Sequence, residues 1–154
     1  ADTVVIERLR EAGGILLGIT NMAECGHKGT NDNPVWGMTR NPWNPETTPG
    51  GSSGGAAAAL ATGCGALALG TDRAGSVRIP AGATGVLGLK PTLGVFPYPE
   101  TPDLFDTTTV IGPMARSVAD IALISARPTS CTSIPPIVVP ITSSPICAGS
   151  ATPA

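Results

Sequence analysis

Apolar and polar positions change period several times along the chain. In residues 3–12, Val5, Ile6, Leu9 and Ala12 fall on one stripe, and Glu7, Arg8, Arg10 and Glu11 on the other. That spacing predicts an amphipathic helix, with Asp2 as its N-cap and Gly13-Gly14 as its stop. The run ILLGI (15–19) is short and continuously apolar, the pattern of a buried strand. Helix, glycines, then strand is the rhythm of a layered α/β fold. From Asn31 to Gly55 the periodicity vanishes. Asn33-Pro34, Asn41-Pro42, Asn44-Pro45 and Pro49-Gly50-Gly51 predict a long irregular loop, a feature that commonly builds a site. The following AAAALAT (56–62) predicts a helix of small residues buried on several sides. ALALGT (66–71) and GVLGLK (85–90) predict a second and a third buried strand, with a glycine-rich turn over 72–82 between them. A loop punctuated by Pro91, Pro97, Pro99 and Pro102 runs to Asp106, and Ser117 with Asp120 forms a capping box that should open a helix.

After about Ala126 the character changes. Prolines 128, 135, 136, 140, 145 and 153 lie among Ser, Thr, Ile and isolated Cys, with no acidic residue. No helical or strand period survives, so residues 126–154 are expected to be disordered or irregular, and residues 1–125 to form the folded core.

Composition narrows the class. Twenty glycines and 16 prolines stand against two Trp, one Tyr and two Phe, yet 42% of residues are hydrophobic. That is too apolar for a disordered chain, so the core must rest on small and aliphatic side chains packed against backbone. The net charge is −2, and no basic stripe exists to follow a nucleic-acid backbone. No run of 18 apolar residues predicts a membrane span, and the first residues do not read as a secretory leader. Cysteines 25, 64, 131 and 147 include no Cys-x-x-Cys pair, and His27 is the single histidine. No metal is therefore expected, Cys25 and His27 together being too few ligands. Cys64, among small residues, is expected to be a buried thiol. Free thiols without a leader point to the cytoplasm.

Three common glycine motifs nearly match and fail on context. GSSGG (51–55) would make Ser53 a nucleophile elbow, but no strand precedes it and no histidine follows. GTDRAGS (70–76) has Ser76 where a phosphate loop needs lysine. GCGALA (63–68) sits between a predicted helix and a strand, the reverse of a dinucleotide fingerprint. What remains is a serine-rich glycine loop at 50–55 and a serine at 76 in a second glycine turn. Such turns present backbone N–H groups suited to an oxyanion. A serine nucleophile needs a base, and without a later histidine that base would be a lysine.

Residues 49–94, PGGSSGGAAAALATGCGALALGTDRAGSVRIPAGATGVLGLKPTLG, resemble the signature segment of the amidase signature enzymes. The spacing of GGSSGG, GTDxxGSxRxPA and GLKPT is long and specific. DTVVIERLREAGGILLGITNMAE, GMTRNPWNP (37–45) and IGPMARSVAD (111–120) extend the likeness over about residues 1–125, with Ile19 in place of a usual lysine. The resemblance implies a partial amidase-signature α/β fold, a mixed central sheet covered by helices and truncated at both ends. It implies hydrolysis of a carboxylic amide through an acyl-enzyme on Ser76, with Ser52, preceded by a cis peptide bond, passing protons to a lysine. The N–H groups of Arg73, Ala74, Gly75 and Ser76 would form the oxyanion hole, Ala74 standing where glycine is frequent. Ser53, Asp72 and Arg78 would support the turn, and Lys90 would be structural.

The family's catalytic lysine belongs to a strand that would precede Ala1, and Lys28 is not aligned with it. Lys28 is expected to be solvated, and the chain to be an internal piece of an amidase with little activity alone. The resemblance implies no cofactor, a small-molecule amide substrate, no direct nucleic-acid or membrane contact, and a homodimer as a candidate state of the full-length parent. Two alternatives stand beside it. One is the glutamine-hydrolysing component of a tRNA-dependent amidotransferase, from which YPETPDLF (98–105) departs. The other is a non-catalytic remnant serving as an interaction module.

Overall fold

The computed structural model describes residues 3–97 and 108–126, and the backbone of 138–142. The expectations placed on Asp2, on residues 98–107, on Cys131 and Cys147 and on the remainder of the tail lie outside these residues. Helix α1 (Val4–Glu11) buries Val5, Ile6 and Leu9 as its stripe predicts. Its N-cap is Thr3, which makes no side-chain cap, and Gly13 leaves the helix at φ 84°, a conformation natural to glycine. Strand β1 (Ile15–Thr20) follows. The short strands β2 (Asp32–Asn33) and β3 (Gly37–Met38) then form a small antiparallel pair.

The aperiodic loop that follows owes its shape to asparagine side chains. Asn33 Oδ1 accepts from the amides of Val35 and Trp36, Asn41 Oδ1 from Trp43 and Asn44 Oδ1 from Glu46. Each is a side chain closing a turn in place of backbone. Helix α2 (Gly54–Ala61) leads to β4 (Leu67–Asp72), and α3 (Arg78–Thr84) to the two-residue β5 (Leu87–Gly88). Strand β6 (Val110–Ala115) precedes α4 (Val118–Ser125). There the amide of Asp120 donates to Ser117 Oγ at 3.1 Å, the N-cap half of a capping box, while the Asp120 carboxylate accepts from the Ser117 hydroxyl at 2.7 Å.

The central sheet is mixed. Its order is β1, β7 (Val138–Thr142), β4, β6, β5. β1, β7 and β4 run parallel, while β6 is antiparallel to both β4 and β5. Side chains alternate across β4: Leu67 and Leu69 join Val5, Ile6, Leu9, Ile111 and Ile124 on one face, and Ala68 joins Ala56, Ala57, Leu60, Val77 and Met114 on the other. Helices therefore cover both faces, which is why β4 is a continuous apolar run rather than an alternating one.

Several expectations need correction. β1 is not buried: Ile15, Leu17 and Ile19 point outward, Ile19 with 67% of its surface exposed, because β1 is the edge of the sheet. The turn expected over 72–82 becomes helical at Arg78, since Pro80 falls in the first turn, where its missing N–H costs nothing. β6 escapes a pattern reading because Gly112 and Pro113 interrupt it. Yet Leu69 pairs with Pro113 and Gly70 with Gly112. The strand expected over 85–90 shrinks to Leu87–Gly88. Cys64 is exposed, just past the end of α2. Within the tail expected to be irregular, Val138–Thr142 forms a strand. Among the described residues, no helix is long and apolar enough to cross a membrane.

Candidate active site

β4 ends at Asp72, and the turn that follows is built around that carboxylate. Asp72 is fully buried. Its Oδ1 accepts from the Gly75 amide at 2.8 Å, and its Oδ2 from the amides of Val77 and Arg78 at 3.2 and 3.3 Å. The Arg78 guanidinium closes on both oxygens, Nε to Oδ2 at 3.0 Å and Nη2 to Oδ1 at 2.9 Å, a two-point geometry that arginine makes and lysine cannot. Burial alone pushes the Asp72 carboxyl up, but the Arg78 guanidinium and the three amides outweigh it and hold it below the ordinary carboxylate range. The same pairing raises Arg78. Lys90 Nζ donates to the Asp72 carbonyl at 3.0 Å and to the Thr108 carbonyl at 2.7 Å, which ties the end of β4 to the segment ahead of β6. Asp72 and Arg78 therefore hold the turn as a unit.

Within this turn Ser76 is partly exposed. Gly75 has φ 125°, and a side chain there would strike Ile79 Cδ1 at 2.8 Å. Among the described residues Cys25 is the non-glycine residue with positive φ, so Ala74 takes an ordinary conformation. The Gly75 amide, expected in the oxyanion hole, is committed to Asp72. The amides of Arg73, Ala74 and Ser76 make no bond to that carboxylate.

The second serine loop lies against the first. The Ser53 amide donates to the Ser76 carbonyl at 3.1 Å, which ties the two turns together. Gly70 permits the approach, because a Cβ there would lie 2.7 Å from Ser53 Cβ. Ser52 and Ser53 are 1% and 0% exposed, and the Gly51–Ser52 peptide is cis. Neither Ser52 Oγ nor Ser53 Oγ has a hydrogen-bond partner among the described residues. Inside folded proteins such hydroxyls are seldom left unpaired.

One contributor was not legible in the sequence. Asn31 is fully buried, and its Nδ2 donates to the Ser52 carbonyl at 2.8 Å. The Ala23 amide donates to the same carbonyl at 3.1 Å. Gly51 and Gly54 allow this packing, since a Cβ on Gly51 would lie 2.7 Å from the Lys28 carbonyl and one on Gly54 2.6 Å from Asn31 Cβ. Asn31 sits in an aperiodic stretch among other asparagines, and only the folded chain distinguishes it from them. Lys28, expected to be solvated, is half-buried and paired with Asp32 at 2.8 Å and Glu24 at 3.4 Å. Among the described residues, no cluster of His, Cys, Asp and Glu could hold a metal.

Comparison with known proteins gives a consistent result. The sequence profile of the Amidase family matches residues 1–130. An acylamidase of Rhodococcus erythropolis is 52% identical over 122 residues, 79% of this chain and 26% of its own length. A glutamyl-tRNA(Gln) amidotransferase component of Symbiobacterium thermophilum is 46% identical over 121 residues, 79% of this chain and 25% of its own. The solved structure of 6-aminohexanoate cyclic dimer hydrolase complexed with substrate superposes with a TM-score of 0.77 at 44% identity, covering 87% of this chain and 30% of that one. The chain thus spans about a quarter of the length of the curated relatives it matches.

Proposed function

The chain belongs to the amidase family, and from that premise we propose that it carries the serine machinery of a carboxylic-amide hydrolase. The observation that supports this best is the joined pair of turns: partly exposed Ser76 on a rigid Asp72-centred turn, tied to a loop holding the unpartnered hydroxyls of Ser52 and Ser53. In this reading Ser76 Oγ attacks the amide carbonyl carbon. The amides of Arg73, Ala74 and Ser76 face the oxygen that becomes negative, and the C–N bond breaks to leave an acyl-serine and an amine or ammonia. Ser52 Oγ takes the proton from Ser76 and passes it toward the leaving nitrogen, and water then releases the acid. Ser53, Asp72 and Arg78 shape the turns without touching the reacting atoms.

Such a relay ends on a base, and neither lysine of the chain is free for it. Lys28 is engaged by Asp32 and Glu24, and Lys90 by two carbonyls. The 154-residue chain is therefore expected to turn over simple aryl and alkyl amides very slowly, while an activated aryl ester still acylates Ser76. Mass spectrometry of the adduct checks this. An adduct on another residue, or one that persists in Ser76→Ala, would overturn the assignment. Rapid amide turnover that Ser76→Ala abolishes would keep the nucleophile and refute the inactivity. The substrate is a small-molecule amide and the compartment the cytoplasm. The likeness to an amidotransferase component supports a second reading, in which the parent protein hydrolyses glutamine for a partner; ammonia release from glutamine distinguishes the two.

A further inference from the structure

Ser52 hangs between two supports that both belong to the Ser76 segment. On its C-terminal side, the Ser53 amide donates to the Ser76 carbonyl at 3.1 Å. On its N-terminal side, Gly50 lies against the start of α3. A Cβ added to Gly50 would lie 3.0 Å from Pro80 Cα and 3.1 Å from Ile79 Cγ2. Between these supports the Ser52 carbonyl is held by Asn31 and Ala23, and the Ser52 hydroxyl has no partner among the described residues. Where that hydroxyl points therefore follows from where Gly50 and Ser53 are held.

Ile79 meets both serine segments at once. Its amide donates to the Gly75 carbonyl at 2.7 Å, and a Cβ on Gly75 would lie 2.8 Å from its Cδ1 and 3.0 Å from its Cγ1. One arm of the side chain thus lies over Gly75, the residue before Ser76, and the other, Cγ2, over Gly50. Gly50 and Gly75 have φ of 82° and 125°, so conformation as well as contact keeps side chains away from both. A β-branched residue in a helix has one strongly preferred χ1 rotamer, which fixes the directions of the two arms. Ile79 is nevertheless 47% exposed, whereas its helix neighbours Pro80 and Ala81 are buried. A side chain left half in water contributes less by burial than a core isoleucine. Its shape is what distinguishes it.

We infer that Ile79 is a positioning residue: its Cγ2 and Cδ1 arms space the Ser52 loop from the Ser76 turn and so set the reach of the Ser52 hydroxyl toward Ser76. This rests on the serine mechanism proposed above, in which Ser52 relays the proton of Ser76. In this role Ile79 acts through the backbone of Gly50 and Gly75, and not on the reacting atoms.

Three substitutions separate shape from bulk. Ile79→Val keeps Cγ2 and shortens only the arm over Gly75. Ile79→Leu keeps the volume but has no branch at Cβ, so the arm over Gly50 is lost. Ile79→Ala loses both. On the full chain, the rate at which an activated aryl ester acylates Ser76 is followed by mass spectrometry. It should stay within about threefold of wild type for Ile79→Val and fall about tenfold or more for Ile79→Leu and Ile79→Ala. In a Ser52→Ala background Ile79→Leu should have no further effect, because residues that act as a unit are not additive. An Ile79→Leu variant as fast as wild type, or one equally harmful with and without Ser52, would overturn the inference. So would rates ordered by volume, with Ile79→Leu above Ile79→Val, since Ile79 would then be filling alone.

Should the wild type form no adduct on Ser76, the serine reading fails, and amide hydrogen exchange decides the spacing by itself. The Ser53 amide reports on the Ser76 carbonyl and the Ala23 amide on the Ser52 carbonyl. Both should lose about tenfold in protection in Ile79→Leu and keep it in Ile79→Val, with the β4–β6 ladder unchanged. Equal protection in the two variants, or a loss that spreads over that ladder, refutes the spacer.

Discussion

The Asp72 turn and the Ser52 loop lie side by side, and their polar groups are accounted for in opposite ways. In the turn, both oxygens of one buried carboxylate are filled by three amides and a guanidinium. In the loop, the backbone is held, with the Ser52 carbonyl taking bonds from Asn31 and Ala23, while the hydroxyls of Ser52 and Ser53 go without partners among the described residues. The turn is a scaffold that would keep its shape whatever its task. The loop is held by its main chain so that its hydroxyls stay uncommitted. On the proposed mechanism Ser52 Oγ accepts and releases a proton, a duty that a hydroxyl fixed in a structural hydrogen bond serves less readily, and its lack of a partner among the described residues fits that reading.

The sharpest way to break the comparison is Asp72→Ala. Removing the carboxylate leaves three amides without their acceptor and releases the half-exposed Arg78 guanidinium, and the fold should lose about 2–4 kcal/mol, read as a lower urea midpoint. A loss under about 1 kcal/mol would mean that the turn is held by something else. Next in size is Gly70→Ala, whose methyl would meet Ser53 Cβ and Val77 Cγ2, 2.7 and 3.1 Å from the added carbon. Overpacking of this kind costs about 1–3 kcal/mol, and calorimetry should show it without any change in charge.

Acid should expose the same carboxylate. Its folded value lies below the unfolded one, so its contribution is complete above the ordinary carboxylate range and drains away as the pH falls below about 4. The stability gap between wild type and Asp72→Asn should therefore narrow as the pH is lowered from neutral to below about 4. A gap that stays constant would show that Asp72 acts by shape and not by charge. Ser117→Ala, which removes a working helix cap, should cost about 1 kcal/mol. The smallest effect belongs to the loop. Ser52→Ala should shift stability by no more than about 0.5 kcal/mol in the destabilising direction, because no bond is lost. A large loss from Ser52→Ala would erase the distinction between scaffold and relay.

How much of this was legible in advance depended on the range of the interaction. The α1 stripe, the glycine exit at Gly13, the capping box of Ser117 and Asp120, and the small-residue helix α2 are all local, closed within one or two turns of chain. The family likeness was also legible, because GGSSGG, GTDRAGS and GLKPT keep their spacing. β6 was not, since Gly112 and Pro113 look like strand breakers until their partners are known. Asn31 was not either, being one asparagine among several with the same local chemistry.

The sequence by itself determined the short-range elements and the residue types of the two serine turns, because caps, periods and turn residues act over a few positions. Only the tertiary structure decided that Gly70 and Gly112 lie opposite each other beneath Val77, that Asn31 reaches the Ser52 carbonyl, that β1 is an exposed edge, and that a segment beyond the family match enters the centre of the sheet. Each of these depends on which distant backbone arrives alongside. In this mixed sheet the paired strands lie far apart in the chain, so no local pattern records their pairing.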